Sequence, residues 1–215
     1  MLICDGGTTY SKIYNVHTGD LEILPTKDLI LKKDRWFQLA TGHSTKHHCD
    51  KYINELVALA EGALTLVDEE DFVVLDIGSR DTKFVQIKKG QVNNLDWNTS
   101  CGGNLGFTLE LLGNYYNIDY DALHPTEEMV PVACGLLGIE KIFDEINKGL
   151  SPQLGVAKFI NGMAYNTYNF CQKPQKIYLS GGLTQNKCFV NSLAKYCEVH
   201  LLGRDVLIKG LLRLM

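Results

Sequence analysis

One stretch of nineteen residues occurs twice, 71 positions apart and without a gap: ICDGGTTYSKIYNVHTGDL at 3–21 and VLDIGSRDTKFVQIKKGQV at 74–92. Asp5 falls on Asp76, Gly7 on Gly78, Thr8 on Ser79, Ser11 on Thr82, Lys12 on Lys83 and Gly19 on Gly90. Ile3, Ile13, Val16 and Leu21 fall on Val74, Phe84, Ile87 and Val92. Each copy reads as a buried strand ending in aspartate, a turn of small residues, a second strand and a tighter glycine turn. Successive N–H groups in a turn of small residues cradle phosphate oxygens. A carboxylate at the preceding strand end can hold magnesium through water. Two such hairpins facing each other would clamp the β- and γ-phosphates of a nucleotide; two similar hairpins with no ligand are the plainer alternative.

The rest of the chain fits around that pair. WFQLATG at 36–42 reads as another strand, and 48–62 places Ile53, Leu56, Val57, Leu59 and Ala60 on a helical period. At 176–196, a strand over 177–179 runs through Ser180-Gly181-Gly182 into a helix carrying Phe189, Val190, Leu193 and Ala194 on one face. Paired glycines at a strand-to-helix turn let a flat group approach backbone at a helix N-terminus. A nucleoside would sit there. Asp76 is expected at a strand end outside the core.

Composition narrows the partners. With 215 residues, 45% hydrophobic, 21% charged and a net charge of −4, the chain has no basic footprint for nucleic acid or an anionic membrane. No apolar run approaches ~18 residues, and MLICDGG turns polar at once, so a cytoplasmic protein is expected. Seven cysteines without secretory context point to buried thiols or metal ligands.

These motifs, in this order, resemble the actin, sugar-kinase and heat-shock-chaperone ATPase superfamily. Within it the sequence is most similar to activators of 2-hydroxyacyl-CoA dehydratases and the related benzoyl-CoA reductase ATPase subunits. DIGSRDTK at 76–83 resembles their D-I-G-G-Q-D-[ST]-K, and NTSCGGNLGFTLE at 98–110 resembles N-D-K-C-A-A-G-T-G-x-F-L-E. Cys134 stands where they carry a second cysteine, ahead of a helix closed by KIFDEINKG at 141–149. GGLTQN resembles their G-G-V-A-x-N, and ATGHSTKHHCDKYINELVALAEGA places Glu55 on the family glutamate.

The resemblance implies an α/β fold of two RNase-H-like (actin-type ATPase) lobes with ATP and magnesium in a cleft between them. Lobe one would span 1–68, completed by a C-terminal helix at 201–215; lobe two would span 69–200 and carry the cluster cysteines. It further implies that Cys101 and Cys134 ligate one 4Fe–4S cluster shared across a homodimer. Both precede expected helix starts, at 105–116 and 136–148, and positive helix ends suit thiolates and an anionic cluster. Two ligands per chain cannot complete a cubane, which requires a twofold partner. Cys4, Cys171, Cys188 and Cys197 read as packing.

ATP hydrolysis would drive one electron from the cluster into a dehydratase- or reductase-type enzyme, with ferredoxin or flavodoxin as donor. Asp5, Asp76 and Glu55 would be catalytic, the two aspartates organising magnesium and the attacking water. Gly6, Gly7, Thr8, Thr9, Lys12, Gly78, Ser79, Arg80, Gly103 and Gly106 would hold phosphates. Gly181, Gly182 and Asn186 would line the adenosine pocket.

There are departures. Arg80 replaces the family glutamine, Asn104-Leu105-Gly106 loses a glycine, and the eleven residues 25–35 leave no room for the family helix before WFQLATG. Two alternatives stay open: a small-molecule kinase of the same fold, for which Asp50 and Glu55 are the nearest acidic candidates, and a non-catalytic ATP-binding adaptor. His47-His48-Cys49 reads as a solvated helix cap. Tyr115, Tyr116 and Tyr120 read as core or dimer surface, and Asp68-Glu69-Glu70 as a charged inter-lobe turn.

Overall fold

Both copies of the repeat fold as antiparallel hairpins opening a five-stranded sheet. The computed structural model describes residues 1–31, 35–98, 105–132 and 135–215. It divides into two units: 1–74 with 85–95 and 204–215, and 75–84 with 96–203. The chain is an α/β protein with two mixed sheets.

In the first unit β1 (Leu2–Gly6) pairs antiparallel with β2 (Tyr10–Asn15), and β2 with β3 (Leu21–Pro25). On its other side β1 runs parallel to β4 (Phe37–Thr41), which runs parallel to β5 (Cys49–Tyr52), giving the order β3-β2-β1-β4-β5. β1 is central, so Ile3 and Cys4 are fully buried, as a strand covered on both faces requires. Gly19 supplies the positive φ of 77° at the β2–β3 turn.

Two expectations are corrected here. The segment 25–35 does hold a helix, α1 (Thr26–Leu31), only six residues long. Its first residue is anchored, the Thr26 hydroxyl donating to Gly7 O at 2.8 Å. The helical period assigned to 48–62 starts later, because 49–52 pair as the edge strand β5. Asn54 then caps α2 (Glu55–Leu66), its side chain accepting from Leu56 N. His47 and His48 therefore lie in a turn that leads into a strand, not at a helix start; His48 O accepts from Phe37 N.

α2 crosses the last helix, which is numbered α7 (Val206–Arg213), at backbone contact. A Cβ on Gly62 would lie 2.0 Å from Val206 O, and one on Gly210 1.8 Å from Ala58 O. α7 also packs on β1 and β4, burying Val206, Ile208 and Leu211.

The second sheet has the order β10-β9-β6-β7-β8. β6 (Phe72–Ile77) is buried throughout, β7 (Thr82–Lys88) largely so, and the edge strand β8 (Gln91–Asn98) is mostly exposed. β9 (Lys176–Gly181) and β10 (Glu198–Gly203) run parallel. Between β8 and β9 come α3 (Leu105–Tyr116), α4 (Gly135–Asn147) and α5 (Pro152–Phe170), the last capped by Ser151 with proline at its start. α6 (Lys187–Leu193) packs on α5.

Tyr115, 73% exposed, meets Tyr116 and Phe143 edge to face, so this pair lies on the surface. Tyr120 donates to Leu109 O at 2.5 Å. No helix of the described residues is long and apolar enough to cross a membrane.

Candidate functional site

The first hairpin is fixed from its carbonyl side. Ser44 Oγ donates to Gly6 O at 2.9 Å, Thr26 Oγ1 to Gly7 O, and Thr26 N to Thr9 O at 2.7 Å. Gly6 and Gly42 must be glycine for a packing reason: a Cβ on Gly42, at φ 87°, would lie 2.5 Å from Gly6 O, and one on Gly6 2.5 Å from Thr45. Those two glycines are therefore explained by the turn after β4 pressing on the hairpin, whether or not a ligand binds. Asp5 is 3% exposed, and its Oδ2 accepts from Lys12 Nζ at 2.7 Å. Removing a buried carboxylate from water is tolerated because this cation pairs with it. Thr8 is exposed at the turn, with Thr9 beside it half-buried.

In the second hairpin the corresponding aspartate and lysine meet further partners. Asp76, at the penultimate position of β6, is 6% exposed, and Ser180 donates to its Oδ1 at 2.7 Å. The expectation that Asp76 lies outside the core is corrected: β9 runs beside β6 and buries the strand end. Lys83, placed by the repeat on Lys12, donates to Asp81 Oδ1 at 2.6 Å and lies over the Trp97 ring, whose N–H reaches Asp81 Oδ2. The repeat puts Tyr10 opposite Asp81, so this extra carboxylate belongs to the second copy alone. Arg80 is exposed and forms no ion pair among the described residues.

The two motifs that follow converge on that hairpin within the second unit. Gly181, at φ 92°, has its missing Cβ 2.4 Å from Ile77 O and 3.0 Å from Asp76 Oδ1, whereas Gly182 faces open space. Asn186 is engaged locally, its side chain capping α6 by accepting from Phe189 N. Gly106 lies in the first turn of α3, where a Cβ would sit 2.7 Å from Gly78 O and 2.9 Å from Ser79 Cα. Phe107 N donates to Ser79 O at 2.9 Å, and Ser79 Oγ donates to Glu110 Oε1 at 3.2 Å. The N-terminal turn of α3 is thus clamped onto residues 78–79. Asp76, Ser79, Ser180, Gly181 and Gly182 lie at the carboxyl ends of adjacent strands, where open α/β sheets take ligands.

Glu55 opens α2 and is buried at its positive end. Asp50 sits on the exposed edge strand with its Oδ1 held by Trp36 Nε1 at 2.6 Å. Cys101, Gly103 and Cys134 lie outside the described residues. Among the described residues no group of three His, Cys, Asp or Glu could hold a metal ion. The sequence reading missed Ser44, Ser180 and Glu110; Ser44 follows the ATG at the end of β4, which was the available signal.

The other thiols suit packing. Burial pushes Cys188 and Cys197 each up to about 11, and raises Cys4 and Cys171 further. Only the thiolate is alkylated, so at pH 8 these sites should label slowly. The Cys197 rate should climb about tenfold per pH unit beyond pH 9, where an ordinary thiol has levelled off. Mass-spectrometric mapping of iodoacetamide adducts checks this, and a plateau by pH 9 would contradict it.

The fold is that of the actin-type ATPase lobes found in dehydratase activators. No family model matches the sequence. An uncharacterised protein of Methanocaldococcus jannaschii is 26% identical over 211 residues, 89% of this chain and 86% of that protein. The (R)-2-hydroxyglutaryl-CoA dehydratase activating ATPase of Acidaminococcus fermentans is 23% identical over 167 residues, 72% of this chain and 64% of that protein. The activator of the 2-hydroxyisocaproyl-CoA dehydratase from Clostridium difficile, solved with bound ADPNP, aligns with a TM-score of 0.75 at 18% identity, covering 99% of this chain and 92% of that one. The chain is similar in sequence and structure to 2-hydroxyacyl-CoA dehydratase activators.

Proposed function

We propose that the protein is an ATP-dependent reductive activase, which hydrolyses ATP and passes one electron from an iron–sulfur cluster to a dehydratase- or reductase-type enzyme. The observation that carries this reading is the clamp of α3 on residues 78–79 through Gly106, Phe107 and Glu110. α3 begins four residues after Cys101, and α4 one residue after Cys134. A change at the second hairpin is therefore delivered to a helix that starts beside a candidate cluster ligand, a two-state coupling of the kind nucleotide switches use.

In this reading Asp5 and Asp76 each hold magnesium through water. The hairpin turns around Gly6–Thr9 and Gly78–Arg80 take phosphates, with Lys12 at the first. Gly181 and Gly182 admit the adenosine, and Asn186 rigidifies the turn that follows. Phosphoryl transfer to water depends on positioning and charge stabilisation, which such a sparse set can supply. Glu55 is kept as a further catalytic carboxylate. The bound cluster supplies the low-potential electron, with ferredoxin or flavodoxin as the donor. Cys101 and Cys134 are the ligands that the resemblance implies, whereas Cys4, Cys171 and Cys188 are buried and scattered. Two from each of two chains complete the four ligands of a cubane, so the working form is a homodimer.

Anaerobically purified protein should then carry about two iron atoms per chain, four per dimer. Cys101→Ser or Cys134→Ser should remove most of the iron and weaken the dimer, whereas serine at Cys4, Cys171, Cys188 or Cys197 should leave iron unaltered. Iron-free wild type that dimerises like Cys101→Ser would end the activase reading. The exposed Arg80 beside the second hairpin favours one other reading, an ATP-binding adaptor without turnover; tight nucleotide binding with no hydrolysis would decide for it.

A further inference from the structure

The register of the first sheet sets three polar side chains in one row. Asp5 pairs with Lys12 on antiparallel β2 and with Thr41 on parallel β4. Laterally paired residues project from the same face of a sheet, so Lys12, Asp5 and Thr41 lie side by side across three strands. The neighbouring row, Ile13, Cys4 and Ala40, projects from the other face and is entirely apolar, part of one buried cluster.

Lys12 and Asp5 satisfy each other at 2.7 Å. Thr41 differs. It is fully buried, its carbonyl accepts from Thr45 Oγ1 at 2.7 Å, yet its own hydroxyl has no hydrogen-bond partner among the described residues. Valine has the same shape and a higher strand preference, and would bury no polar atom there. A desolvated hydroxyl without a partner is a standing penalty and calls for an explanation. Thr82, Ser192 and Arg204 Nε are the other such groups among the described residues; Thr41 is the one in register with Asp5, a candidate catalytic carboxylate.

We propose that Thr41 is a positioning residue for the metal of a bound nucleotide, its hydroxyl accepting a hydrogen bond from a magnesium-bound water whose other proton goes to Asp5. This rests on the reading that Asp5 holds magnesium. The division of labour in the row follows: Lys12 fixes one carboxylate oxygen of Asp5, and Thr41 orients the water on the other side. The turn after β4 holds Thr41 in place through Thr45 and through Gly42 pressed on Gly6.

The test is the magnesium dependence of thermal stabilisation by ADPNP, measured on the full chain as wild type, Thr41→Val, Thr41→Ser and Asp5→Asn. Nucleotide that binds only the folded state raises the melting temperature, so the readout needs no turnover. In Thr41→Val the unliganded melting temperature should be equal to wild type or higher, because no protein hydrogen bond is lost. The magnesium concentration for half-maximal stabilisation should rise about tenfold, and Thr41→Ser should restore it to within about twofold. A wild-type magnesium midpoint in Thr41→Val overturns the inference and leaves the ATP reading standing. A lower unliganded melting temperature with an unchanged midpoint also overturns it, marking the hydroxyl as structural. Absence of any magnesium-dependent stabilisation in wild type overturns both the inference and the reading of Asp5 on which it rests.

Discussion

Asp76→Asn is expected to lower magnesium-dependent ATP hydrolysis by at least about 100-fold, the scale on which single preorganised electrostatic groups act, while the melting temperature changes by only a few degrees. The amide keeps the oxygen that accepts from Ser180 and fills the same buried space at the end of β6; what it loses is the charge that would hold a cation in the proposed function. Asparagine is the right variant, since alanine would strand the Ser180 hydroxyl in the interior and mix a packing defect with the chemical one. Asp5→Asn should lose turnover to a similar degree but also cost stability. Its carboxylate is the ion-pair partner of Lys12, whose side chain is 13% exposed, and weakening a buried ion pair from one side costs up to about 3–5 kcal/mol. The repeat predicts comparable roles for the two aspartates. Turnover retained in Asp76→Asn would remove the phosphate-clamp assignment from the second hairpin.

Gly106→Ala should uncouple α3 from that hairpin. Inside a helix alanine is favoured over glycine by about 1 kcal/mol, so helix propensity alone predicts a gain. The position overrides it. The added Cβ would press on Gly78 O and Ser79 Cα, both backbone atoms that cannot swing aside. To relieve the overlap α3 must move off residues 78–79, which stretches the Phe107–Ser79 hydrogen bond and the Ser79–Glu110 contact. Nucleotide affinity should fall by roughly tenfold, about 1.4 kcal/mol. Iron content should remain, because neither candidate cluster ligand is altered.

The sequence made the hairpins legible because glycine, aspartate and lysine recur there at fixed spacing, and turn chemistry is local. The starts of α3 and α4 were legible for the same reason, glycine-containing loops giving way to a helical period. β5 was not. Its four residues CDKY show no apolar–polar alternation and become a strand beside β4; the helix begins only at Glu55. α1 is hard to read because eleven residues leave little room for a helix, yet six suffice once Thr26 anchors the first turn. The burial of Asp76 and the bonds of Lys83 to Asp81 and Trp97 depend on contacts between segments distant in the chain or on a side-chain choice that the repeat does not share. Gly62 and Gly210 left a faint signal that was not used, small residues at one face of each of α2 and α7. Nothing in the sequence distinguishes Thr41 from any other strand threonine; its register against Asp5 does.

In the proposed activase, nucleotide at the second hairpin acts, through α3, on a cluster held by Cys101 and Cys134. The most direct measurement is the rate at which an iron chelator strips the anaerobic dimer, with magnesium and ADPNP, with ADP, and without nucleotide, in wild type and in Gly106→Ala. Wild-type stripping rates should differ between the nucleotide states by about tenfold or more, a bias of about 1.4 kcal/mol on a two-state element, and in Gly106→Ala the rates at saturating nucleotide should converge. Stripping rates independent of nucleotide in a wild type that binds both nucleotide and iron would contradict this coupling.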